Sequence, residues 1–212
     1  MHQYIIETGN TVRTLFELLI HEESLIKEQT EKLHKAVIEI NAHGWNFQTD
    51  DLNDDFPETF IKAAFFRIEN STASANKLKS EIAKYQAVLG THQSTTQTLC
   101  ASILQIAKQG ISLIHGSLLL PDRYIIDTPP GRMLASLTLR DIIWQACNQV
   151  TQCKKETYEK PVIDLFTELE RFYGPQFSLE QHSHQSRAKK IIHLLGWLDY
   201  RDYVIDMQLL IS

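Results

Sequence analysis

Positive charge is in the minority in this chain. Its 212 residues hold 21 Lys and Arg against 26 Asp and Glu, a formal net charge of −5. That balance opposes indiscriminate binding to nucleic acid but leaves room for a local basic patch. Cysteine is also scarce. Cys100, Cys147 and Cys153 are odd in number and lack CxxC spacing, which excludes a disulfide framework and fits reduced thiols in the cytoplasm. On a helix Cys147 and Cys153 point in different directions and are not expected to pair. Long apolar runs are missing, so no membrane span is expected. The longest candidate, Ile111 to Leu120, is interrupted by Ser112, His115, Gly116 and Ser117 and stops at Pro121. The opening MHQYIIETGN lacks the basic and apolar regions of a secretion signal. No strong strand alternation, repeat, GxGxxG, P-loop or GxSxG pattern occurs, and no cofactor is expected.

What is present is helical periodicity in a chain that is 43% hydrophobic, enough for a sizeable core. A long helix is expected from Thr11 to about His43, with Val12, Leu15, Phe16, Leu19, Leu33, Val37 and Ile40 inward. Glu28–Lys32 and Glu31–Lys35 suit its wet face. Gly44 to Pro57 reads as a loop. A second helix runs from Pro57 to Leu89 and stops at Gly90, and a third runs from Thr95 to His115. Pro121 to Gly131, with its PDRY and TPPG, is a turn-rich connection. After the helix that follows it, shorter helices are expected over Val162–Tyr173, over Arg187–Leu195, and from an Asp199 cap to Leu210. The chain is expected to be one all-α domain over 1–212, a bundle of long helices with short C-terminal ones.

The organising stretch is Leu137 to Glu156, LTLRDIIWQACNQVTQCKKE. Ile142, Ile143, Ala146, Val150 and Cys153 form a core-facing stripe. Arg140, Trp144, Asn148 and Gln152 recur at steps of four and therefore lie along one line of the helix. A guanidinium, an indole and two amides on one line suit a hydrogen-bonding seam.

The stretch LRDIIWQACNQVTQ resembles the signature helix of the HEPN superfamily, helical domains found in many prokaryotic defence and toxin–antitoxin ribonucleases. Members carry an Arg, a following polar residue that is often Asn, and then a His on the same helix. Aligning the Asn on Asn148 places the Arg at Cys147 and the His near Gln152. A second register keeps Arg140, followed by Asp141, and places the His at Gln145, Ala146 or Cys147. No His occurs from Gly116 to Gln181, so no register restores the pair. In the family, Arg and His from two protomers surround the scissile RNA phosphate, the Arg as a cationic fork and the His as a proton carrier. Cys147 brings no positive charge, and Gln152 does not titrate. The resemblance thus implies a HEPN-like fold that has lost catalysis. It also implies a homodimer about this helix, an RNA or protein partner, and a defence or toxin–antitoxin setting.

Other constellations are weaker. Arg187 and His193 have a spacing the family tolerates, with Lys189 and Lys190 between them. They are the best alternative centre for a metal-independent ribonuclease. Six positions is not a whole number of helical turns, however, and an exposed basic face with a partly buried His is the plainer expectation. Glu31 and His34 have di-iron spacing but lack the second copy such a site needs. Glu17 with His21 reads as a helix-face contact, and His182 with His184 as part of a polar linker. Asp50, Asp51, Asn53, Asp54 and Asp55 lack the Gly and terminal Glu of a calcium loop. No metal site is expected. An unrelated helical bundle that binds a protein partner is the third reading.

Overall fold

The computed structural model describes residues 2–42, 73–115, 128–153 and 157–211. The expected acidic loop from Gly44, its Asp residues, the helix start at Pro57 and most of the Pro121 connection lie outside the described residues. Within them the chain is all-α apart from one very short hairpin. The helices are α1 (Gln3–Ala42), α2 (Ala73–His115), α3 (Leu139–Gln152), α4 (Lys160–Tyr173), α5 (Ala188–Leu194) and α6 (Tyr200–Leu210). A 3-10 turn, Pro175–Phe177, follows α4. The hairpin pairs β1 (Met133–Leu134) with antiparallel β2 (Leu137–Thr138). None of the described helices is long and apolar enough to cross a membrane.

The chain divides into two compact units, residues 22–93 and residues 1–21 with 94–212. In the smaller unit, Leu33, Ala36 and Ile82 form a small cluster, with Val37, Leu78 and Tyr85 packed on it. The Nδ1 of His92 lies 2.7 Å from Glu22 Oε2. Glu28 and Lys32 form the expected i, i+4 ion pair at 2.5 Å.

Two expected helices prove to be one, because α2 runs through Gly90 without a break. Glycine weakens a helix interior by about 1 kcal/mol relative to alanine, whereas proline would break it. Here burial continues in phase on both sides, at Ile82, Leu89, Thr96, Cys100 and Ile103. Gly110, a second apparent weakness, is a contact point. A Cβ there would collide with the ring of Tyr4, whose hydroxyl donates to the Ile106 carbonyl at 2.6 Å.

The larger unit holds the main core. Ile5, Val12, Phe16 and Leu19 of α1 contribute at helical spacing, as do Ile103, Leu104, Ala107 and Ile111 of α2. The rings of Trp197 and Tyr203 meet edge-on at 5.1 Å, and Phe16 lies 6.2 Å from Tyr203. Asp199 caps α6 by accepting from the amides of Arg201 and Asp202, as expected. Gly174 ends α4 at φ +99°, a conformation that favours glycine.

Candidate functional site

Helix α3 begins two residues later than the periodicity implied, because Leu137 and Thr138 belong to the hairpin. Thr138 caps it, its hydroxyl accepting from the Asp141 amide at 3.1 Å. Asp141 also places a carboxylate in the first turn, where the helix dipole favours it. The helix ends at Gln152, short of the Lys160-Pro161 step. Ile142, Ile143, Ala146 and Cys153 of the expected stripe are buried, and Val150 is half-buried.

The line of four polar residues is engaged with its neighbours in the chain. The Arg140 guanidinium donates to the Thr128 carbonyl at 2.9 Å and to Asp141 Oδ1 at 3.0 Å. Trp144 is only 4% exposed, and Lys108 of α2 places its ammonium 4.6 Å from the ring centroid. The same ammonium donates to Asn148 Oδ1 at 2.6 Å, while Asn148 Nδ2 donates to Gln145 Oε1 at 3.0 Å. Gln152 is 5% exposed, and its Oε1 accepts from the amide of Glu159, the residue just before α4. Among the described residues the four do not hydrogen-bond to one another. Arg140 reaches the Thr128 carbonyl, Trp144 and Asn148 share Lys108 of α2, and Gln152 meets the backbone just before α4.

Cys147 faces inward. It is 2% exposed, and its thiol donates to Gln105 Oε1 of α2 at 2.7 Å. Burial pushes its thiol pKa up, and the positive charge of Lys108 offsets this only in part. The group at the family's Arg position under the first register is therefore a protonated, uncharged thiol at neutral pH.

Gln149, which the sequence argument passed over, is the most deeply held polar residue of α3, at 0% exposure. Its Nε2 donates to the Gln185 carbonyl at 2.9 Å and to the Tyr158 hydroxyl at 3.3 Å. Its Oε1 accepts from the Arg187 amide at 3.0 Å. A buried amide of this kind costs free energy unless its polar atoms are bonded, and here they are.

The alternative centre does not face one volume. Arg187 is 2% exposed, its guanidinium donating to the Gln176 carbonyl at 3.3 Å and to Gln185 Oε1 at 2.5 Å. His193, near the far end of α5, is exposed. This corrects the expectation of an exposed basic face with a partly buried His: the cation is inside and the imidazole is outside.

Among the described residues no group of three or more His, Cys, Asp or Glu is arranged to hold a metal. Glu31 and His34 are both exposed, and His184 is exposed with a left-handed backbone at φ +62°.

A second polar cluster centres on Asp206, a buried carboxylate in α6. Arg132 grips it with two bonds of 2.8 Å and also donates to the Leu195 carbonyl, while Trp197 Nε1 donates to it at 2.7 Å. The signal was available in the sequence, since Asp206 sits among Tyr203, Val204, Met207 and Leu210 on an otherwise apolar face. A carboxylate there needs a cation and hydrogen-bond donors. The cluster ties the residue leading into the hairpin to the end of α5 and to α6.

No family model, no curated protein and no solved structure matches the chain.

Proposed function

We propose that this protein is a HEPN-like helical module that does not cut RNA. It acts instead through binding, as a homodimer built about α3, in a setting of the defence or toxin–antitoxin kind. The observation that carries the reading is the chemistry at the signature positions. Cys147 and Gln152 point inward and hold α2 and the start of α4. Neither supplies a phosphate clamp or a proton carrier near neutral pH. The seam residues Arg140 and Trp144 likewise serve contacts inside the protomer. The side of α3 left for a partner is the line Asp141, Gln145, Asn148 and Thr151, half-buried to exposed and at helical spacing. These short polar groups suit a self-complementary contact across a two-fold axis.

Sedimentation velocity tests the reading. The parent protein is expected to sediment as a dimer, and Gln145→Arg as a monomer with unchanged helicity, because like charges would then meet across the axis. A monomeric parent, or a dimer indifferent to Gln145→Arg, contradicts it. Gln145 is preferred over Asn148 because Asn148 also holds Lys108 within the protomer.

A further inference from the structure

A groove of about 450 Å³ lies along α4, between the residues that lead into this helix and the polar segment that follows the 3-10 turn. Its volume falls within the range of small-molecule sites. Its accessible apolar surface comes from Ile163 of α4 and the half-buried Leu179, with the buried Phe166 beneath them. Ile163 is 45% exposed, an uncovered aliphatic side chain within a concavity. The charged residues of its wall are Glu170 and Glu180, and among the described residues no Lys or Arg lines it. Tyr158 adds an aromatic ring whose hydroxyl is already held by the buried Gln149, so that edge of the groove is fixed to α3.

The far wall is fixed as well. Ser178 is buried, and its hydroxyl accepts from the Gln181 amide at 3.4 Å. His184, also in the wall, is one of two non-glycine residues with positive φ among the described residues. Residues held in such conformations concentrate at ligand-binding segments.

We propose that this groove binds a small organic ammonium ion. The apolar body of the ligand rests on Ile163 and Leu179, above the buried Phe166, and its cationic head is held by Glu170 and Glu180. The site is separate from the outer line of α3, so it stands or falls independently of the dimer. An apolar floor alone would accept neutral or anionic molecules of similar shape. The two carboxylates set the sign, because an anion would be repelled and a neutral ligand would gain nothing from them.

The test is an NMR titration of the full chain with 2-phenylethylammonium, with 2-phenylacetate as the shape-matched anion. The amine is expected to give saturable shifts concentrated at Tyr158, Ile163, Phe166 and Leu179. Affinity should fall about fivefold in Glu170→Gln/Glu180→Gln, in line with two partly exposed charge contacts. Glu180→Gln alone, an exposed position, should lose part of that affinity and guards against a folding defect in the double variant. Phenylacetate should leave the same signals unmoved. An equal response to phenylacetate, no saturation by the amine below about 10 mM, or unchanged affinity in both variants would overturn the proposal.

Discussion

Helix α3, and α5 with the Arg187 that precedes it, each carry polar residues at the spacing of a nuclease signature, but the first buries both positions and the second buries only the Arg. On α3 the residues at the signature positions, a thiol and an amide, turn inward and bond to α2 and to the start of α4. At α5 a true Arg just before the helix and a true His on it are present, but the guanidinium is buried among backbone and amide oxygens while the imidazole is exposed. One helix has the placement of a seam without the catalytic groups, and the other has the groups without a shared face. Spacing along a sequence therefore identifies a catalytic pair only when both groups open onto the same volume.

Stability measurements sharpen that contrast, and the largest effect is expected on α5. Arg187→Ala removes a buried cation and leaves the Gln176 carbonyl and Gln185 Oε1 without their donor. It should cost about 3 kcal/mol in urea unfolding. A change within about 0.5 kcal/mol would mean that Arg187 is a surface residue after all.

Gln149→Ala comes next. It strips three hydrogen bonds from the junction of α3 with Gln185, Tyr158 and Arg187. A loss of about 2 kcal/mol is expected, read as a lower urea midpoint at unchanged slope. Lys108→Met should cost about 1 kcal/mol, because the aliphatic stem can still pack while the contacts to Trp144 and Asn148 are lost. Combined with Asn148→Ala, it should give a sub-additive loss in a double-mutant cycle. Strict additivity would show that the ammonium and the amide are not coupled.

The smallest effect is a dependence on pH. Burial raises the folded-state pKa of Cys147 above the ordinary thiol value. Its contribution to stability is fully present below that ordinary value and is lost as pH rises through the raised one. Unfolding free energy should therefore decline on the alkaline side, and Cys147→Ala should remove part of that decline. Identical alkaline slopes in the two proteins would contradict the burial of this thiol.

The helical architecture was legible because its signals are local. Asp199 sits where its carboxylate meets two free amides, Gly174-Pro175 ends α4, and the stripe on α3 repeats at the helical period. The continuity of α2 was hidden by Gly90 and the polar run after it, since the buried partners that carry the helix through lie elsewhere in the chain. The hairpin of two-residue strands is too short to leave an alternating pattern. The direction in which each polar residue faces was least legible. Arg187 is held by the Gln176 carbonyl and the Gln185 side chain, and Gln152 by the Glu159 amide, partners that only tertiary folding supplies. Asp206 was passed over although its apolar helical neighbours, Tyr203, Val204, Met207 and Leu210, carried a signal that could have found it.

The most direct test of the account is a metal-free cleavage assay on structured and unstructured RNA, comparing the parent protein with His193→Ala and Asn148→Ala. The account predicts that all three leave RNA as intact as buffer does. Cleavage by the parent that disappears in either variant would contradict it and would place a working centre on that helix.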